Sequence, residues 1–201
     1  MGISSASIRR IPMPSKARRR GTCDWPGDDP LMRKYHDEEW GRPVHDDRKH
    51  FEAFVLDAFQ AGLSWRTVLN KRENFRRALA GFDYRKVAKF GPKDVRRLMR
   101  DKGIIRNRLK IEAAIVNAGK FLEIRKEFGT FDRYIWSFAG GKPMRPLHTR
   151  LSQIGSCSPS SDAISKDLKK RGFKFVGSTI IYAYMQGAGL VNDHLTRCFR
   201  S

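Results

Sequence analysis

The sequence predicts an all-α domain behind a short basic arm. Apolar residues recur three and four positions apart along most of the chain. Capping residues and glycines punctuate those stripes, and no convincing run alternates with the period of two that a half-buried strand shows.

The elements follow in order. Asp47 is expected to cap a helix whose stripe is Phe51, Phe54, Val55 and Phe59. Ser64 caps the next, through Val68, Leu69 and Phe75. Gly91-Pro92 restarts the chain, with proline in the first turn before Val95, Leu98 and Met99. Ile111, Ile115, Ala118 and Leu122 line a further helix, and Phe131, Ile135 and Phe138 a short one. Ser160 or Ser161 caps a helix through Ile164 and Leu168 that Gly172 ends. A last helix spans about Ser178 to Ala188 and stops at Gly189. Residues 140–160 are rich in Gly, Pro and Ser and read as a loop.

Residues 1–20 carry six cations and no acid, and residues 21–201 form the helical domain. The arm has no apolar core of a secretory signal. A disordered basic tail and an organelle transit peptide both fit it. No run of eighteen apolar residues offers a membrane span. Three cysteines are too few for a disulfide scaffold and point to a reducing compartment. The expected location is cytoplasmic.

Lys and Arg number 41 against 21 Asp and Glu, a net charge of +20 that points to a polyanion, nucleic acid first. Residues 66–110 hold sixteen cations and four acids, whereas residues 21–65 hold five and ten. The basic stretch ends in Lys102-Gly103-Ile104-Ile105-Arg106-Asn107-Arg108-Leu109-Lys110, a glycine-bearing turn between two helices. Free backbone N–H groups at the following helix start, with Arg106, Arg108 and Lys110, suit a DNA phosphate. The plainer reading is an ordinary helical connection with a solvated cationic face.

Two further constellations carry chemistry. Cys23, His36, His194 and Cys198 make a closed tetrahedral zinc set, with the last two separated by one helical turn. Such a metal would be structural and would join the two ends of the domain. The alternative is two buried cysteines and unrelated histidines. A zinc hydrolase is disfavoured because a closed set leaves no position for water. In the acidic stretch, Trp25, Tyr35, Trp40 and Trp65 accompany Asp57, a carboxylate on an otherwise apolar helix. Stacking rings with one carboxylate suit a flipped, electron-poor base. The plainer reading is an aromatic core with one satisfied Asp.

These blocks together resemble the DNA-3-methyladenine glycosylase I family. The resemblance is carried by Cys23-x-Trp25, Asp29 to Leu31, Tyr35-His36-Asp37 and Glu39-Trp40-Gly41. It continues through Gln60 to Trp65, Lys71 to Asn74, Gly103 to Arg106, Lys169 to Gly177 and Gly189 to His194. It covers about residues 21–200. It implies a helix-hairpin-helix DNA glycosylase fold with a zinc site on Cys23, His36, His194 and Cys198. It also implies hydrolytic excision of 3-methyladenine from double-stranded alkylated DNA. Trp25, Tyr35 and Trp65 then stack on the base, Asp57 accepts its hydrogen bonds, and Leu63 wedges the duplex. Gly103, Ile104, Ile105, Arg106, Arg108 and Lys110 contact DNA. The chain departs from the family's pattern at Asp57, where a Glu is usual, and at Met32, where an aromatic can stand. No lysine stands out as a Schiff-base nucleophile, and Asp132 is a minor alternative for the catalytic carboxylate. Monomeric action is expected. The competing reading is a non-catalytic, zinc-containing DNA-binding module.

Overall fold

The computed structural model describes residues 21–201, and they are helical. The basic arm, residues 1–20, lies outside the described residues. Ten α-helices follow in order: α1 Pro30–Glu38, α2 Asp47–Gln60, α3 Trp65–Asn70, α4 Arg72–Ala78, α5 Tyr84–Val87, α6 Pro92–Arg100, α7 Arg108–Phe128, α8 Phe131–Ser137, α9 Pro159–Lys170 and α10 Ser178–Gly187. Among the described residues the only β pairing is two isolated bridges, Met144 with Val191 and His148 with Leu195.

Caps fix most helix starts, and some differ by a residue from the sequence reading. Asp46, not Asp47, caps α2: its backbone is extended and its carboxylate accepts from Lys49 N at 2.8 Å. Asp47 lies one residue inside, where its carboxylate accepts the Asp132 amide at 2.9 Å. Ser158, not Ser160 or Ser161, caps α9, because Pro159 takes the first helical position. Ser64 caps α3 as expected, but the helix breaks at Lys71 and restarts as α4. Helix α1 has no counterpart in the stripe reading, since few of its residues are apolar. Its signal is the pair Asp29-Pro30: Asp29 accepts from Leu31 N and Met32 N.

The long helix α7 runs through the main core. Phe51, Phe54, Phe121, Phe131 and Tyr184 pack there with 2% exposure or less. Phe121 and Phe131 stack with centroids 3.7 Å apart. Each such ring contributes roughly 1.5–3 kcal/mol of burial relative to exposure. A second, smaller apolar cluster gathers Cys23, Met32, Tyr35, Trp40, Leu69, Leu195 and Cys198. It joins the beginning of the domain to its end, and the functional groups sit in and beside it.

Close backbone approach holds that junction. Val44 N donates to Ala188 O at 3.0 Å and Gly41 N to Gln186 O at 2.9 Å. Gly189 has φ +72°, and a Cβ there would lie 2.1 Å from the Arg42 carbonyl carbon. Glycine is required twice over, for the left-handed turn and for the contact.

Candidate active site

Four elements build one cavity. Helix α1 supplies Met32 and Tyr35, α2 supplies Asp57 and Gln60, α10 supplies Ala183 and Gln186, and Trp65 opens α3. Trp25 and Trp40 close one side, Leu151 and Ile154 another, around about 350 Å³. All four residues expected at the base, Trp25, Tyr35, Asp57 and Trp65, therefore line the same space. The rings of Tyr35 and Trp65 are 5.0 Å apart and tilted by 50°. Trp25 meets Trp40 edge-on at 5.0 Å.

Asp57 is 6% exposed, and its carboxylate makes no hydrogen bond among the described residues. Burial pushes its carboxyl well above the usual carboxylate range. Burial, and then the nearby Asp57 charge, likewise push the Tyr35 hydroxyl well above the usual phenol value. A Cβ placed on Gly187 would stand 3.1 Å from Tyr35 Oη and 3.7 Å from Asp57 Oδ2, so both oxygens converge on one glycine. An uncompensated carboxylate walled by aromatic rings attracts a cationic, flat, hydrogen-bond-donating ligand.

Leu151, Ile154, Ala183 and Gln186 were not singled out from the sequence. The first two lie in the segment read as a plain loop, which contains a short 3-10 turn, Leu151–Gln153. Nothing local marks them, because only the tertiary packing brings them to the cavity. Gln60, on the expected QAGLSW block, and Trp40, among the quoted aromatics, were within reach.

Three of the four expected metal ligands converge beside this cavity, and the fourth, His194, packs against them. Cys23, His36 and Cys198 are buried, with ligand atoms within 4.8 Å of one another. Cys198 Sγ lies 3.6 Å from His36 Nε2. The His36 and His194 rings are 4.8 Å apart, and His194 Nε2 is a buried nitrogen without a hydrogen-bond partner. The opposite nitrogen of each ring is held: His36 Nδ1 lies 2.6 Å from Asp37 Oδ1, and His194 Nδ1 lies 2.7 Å from Asn192 Oδ1. That arrangement turns the His36 Nε2 toward Cys198 and leaves the His194 Nε2 free, as metal-binding imidazoles are oriented. Burial pushes the Cys23 thiol up to about 12 and His194 down to about 4. The donor set thus fits a thiophilic divalent cation. Cys157 is exposed and takes no part.

At the hairpin, Lys102, Arg106, Arg108 and Leu109 are exposed. Asp101 anchors the turn through Gly103 N at 2.7 Å, and Lys71 and Asn74 hold the Gly103 carbonyl at 3.1 and 3.0 Å. One expected contact, Lys110, is corrected, and another, Ile104, has its side chain turned inward. Ile104 is 3% exposed and belongs to the core, since its side chain is the hydrophobic anchor of the turn. Lys110 is buried: Nζ donates to Phe59 O at 2.9 Å and Ala61 O at 2.6 Å, where it satisfies carbonyls at the end of α2. Its charge is spent inside the protein and is not presented to a phosphate. Ile105 is half-buried. Leu63 is 43% exposed in the turn just before Trp65. Asp132 does not face the cavity; its Oδ1 lies 3.1 Å from His45 Nδ1 and 3.0 Å from His50 Nε2, which consumes it in a structural clamp.

Known structures share this arrangement of helices. A crystal structure of 3-methyladenine DNA glycosylase I superposes with a TM-score of 0.86 at 50% identity, covering 89% of this chain and 98% of that one. The Staphylococcus aureus enzyme, in a structure concerned with 3-methyladenine recognition, gives 0.86 at 35%, covering 89% and 95%. In sequence, DNA-3-methyladenine glycosylase 1 of Escherichia coli K12 is 51% identical, spanning 88% of this chain and 94% of its own length. The fold and its pocket are those of a DNA glycosylase. More narrowly, the match of the methyladenine glycosylase model to residues 25–201 shows that the chain belongs to that family.

Proposed function

We propose that the protein is a monofunctional DNA glycosylase that removes 3-methyladenine from alkylated DNA. The observation that carries this reading is Asp57, an unpartnered buried carboxylate in an aromatic cavity beside a basic hairpin. The functional names of the relatives support it. No helix among the described residues is long and apolar enough to cross a membrane. The substrate is double-stranded DNA, met by one protein copy in the cytoplasm.

Methylation at N3 makes the base cationic while it is bonded to the sugar. The N-glycosidic bond then breaks with its electron pair going to the base, which leaves neutral. Little acid catalysis is needed. The protein must extract the base, select it and stabilise positive charge on the sugar. Extraction costs a few kcal/mol, least for a damaged base. Phosphate contacts from Arg106 and Arg108 and insertion of Leu63 into the vacated stack offset that cost. Asp57 accepts hydrogen bonds from the base edge, and its charge is favoured by the cationic ring. Tyr35 acts with Asp57, and Trp25 and Trp65 stack on the base. Water adds to C1′ and loses its proton to solvent, leaving an abasic site.

Cys23, His36, His194 and Cys198 would hold zinc. Bound there, zinc supplies cross-linking and no reactive water, because four protein ligands fill its shell. Asp37 and Asn192 orient the imidazoles.

The test is base release. Purified protein is incubated with methylated duplex DNA and freed bases are identified by mass spectrometry, beside Asp57→Ala. Release of 3-methyladenine that the variant loses is the expected result. Release that survives the substitution removes Asp57 from the chemistry. Folded protein that binds DNA and frees no base is a binding module instead.

A further inference from the structure

Apolar side chains exposed singly are ordinary, and those gathered with others mark contact surfaces. Leu109 is 68% exposed on the first turn of α7. That turn departs from the usual pattern. Helix starts favour acids, which complement the dipole, yet this first turn holds none and presents Arg108 and Leu109, while Lys110 turns inward.

One hydrogen bond ties the turn of Leu109 to the turn that carries Leu63. Lys110, the next residue, ties α7 to Ala61 O at 2.6 Å, two residues before Leu63. Leu63 is 43% exposed, and Trp65 of the cavity follows it. Two exposed leucines therefore lie on turns joined by that bond, one of them two residues before a cavity residue, with the exposed cations Arg106 and Arg108 in the same hairpin as Leu109. Arg108 also meets Glu112 Oε1 at 3.4 Å, on the solvent face of α7. A surface mixing apolar side chains and exposed cations matches a partner that is anionic at its backbone and apolar at its sugars and base edges. A second copy of the chain fits poorly, because two molecules of net charge +20 repel.

We propose that Leu109 is a second apolar DNA contact. It presses on deoxyribose and base edges of the duplex beside the extruded nucleotide and helps to hold the DNA open around Leu63. It is a positioning residue and touches no reacting atom. The inference rests on the glycosylase reading and adds to it a residue that selects distorted duplex.

The experiment compares wild type, Leu109→Ala and Arg108→Ala. Each is bound to a duplex carrying a stable abasic-site analogue over a series of KCl concentrations. Free 3-methyladenine is titrated separately by tryptophan fluorescence. Leu109→Ala should weaken duplex binding roughly tenfold, the scale of losing one buried leucine's branched end. The salt slope should stay unchanged, since no phosphate contact is lost, whereas Arg108→Ala should lower it by about one. Free-base affinity and melting temperature should not move, because Leu109 is exposed and outside the cavity. Duplex affinity within twofold of wild type would overturn the proposal. So would a change in sedimentation with DNA binding intact, which would make this face a self-contact. If wild type frees no methylated base, the glycosylase reading fails, while the duplex comparison still decides Leu109.

Discussion

The Lys110 ammonium donates to the Ala61 carbonyl at 2.6 Å and to the Phe59 carbonyl at 2.9 Å. One buried cation thereby ends α2, starts α7 and sets the turn that carries Leu63. Burial pulls its pKa below the usual lysine value. Lys110→Met keeps the stem and deletes the donor, leaving two carbonyls at a helix end unsatisfied. We expect a loss of about 1–3 kcal/mol, read from denaturant unfolding. The salt slope of DNA binding should be that of wild type, whereas Arg106→Ala should reduce it by about one. A reduced slope in Lys110→Met would place its ammonium on a phosphate.

Asp57 costs the empty protein stability. Its carboxyl titrates above the ordinary value in the folded state, so the folded protein binds more protons than the unfolded chain within that window. Stability attributable to Asp57 therefore falls as pH rises from the ordinary carboxylate range toward the raised value. Asp57→Asn should melt higher at neutral pH, by roughly 1–3 kcal/mol, with a smaller gain at acid pH. Excision should fall roughly 10- to 100-fold, the worth of a charge-assisted hydrogen bond. Equal melting curves across pH would show that the carboxylate is solvated.

The proposed metal centre predicts one zinc per chain by elemental analysis. Cys198→Ser should lower that content and the melting temperature together. Each kcal/mol lost corresponds to roughly 2–4 °C in a domain of this size. Chelation should loosen the junction that carries Trp25, which lies 5.6 Å from His36, and so change tryptophan fluorescence. A metal-free protein with unchanged melting and emission would remove the structural role.

Tyr184, His50, Asp132 and His45 form a chain that clamps α10, α2 and α8 together. His50 Nδ1 lies 2.7 Å from the Tyr184 hydroxyl and Nε2 lies 3.0 Å from Asp132. With Asp132 ionised, Nε2 donates to it and Nδ1 accepts the hydroxyl proton, so the neutral ring is fully satisfied. Burial holds His50 below the ordinary histidine value. The unfolded chain therefore takes up the proton first, and stability falls as pH drops below about 6.5. Tyr184→Phe should cost about 1–3 kcal/mol at pH 8. His50→Gln should flatten the acid-side decline, measured as melting temperature against pH; an unaltered slope would assign the decline to other groups.

What is local was legible in the sequence. Apolar spacing placed α2, α6, α7 and α9, because a 3.6-residue period needs no knowledge of the partner surface. Asp29-Pro30 carried an equally local signal for α1. The ordered blocks around Tyr35, Trp65 and Gly103 identified the family, and with it the aromatic residues that line the cavity. Tertiary structure alone decided which charges remain available. Lys110 and Arg108 are two residues apart in one basic run, yet one is buried against carbonyls and the other faces solvent. Asp132 and Asp57 are both acids on helices, yet two histidines engage one and nothing bonds to the other. Leu151 and Ile154 reach the cavity from a segment with no periodic pattern at all. Burial and long-range pairing set the free energy of a polar group, and both depend on what the folded chain brings against it from far away in sequence.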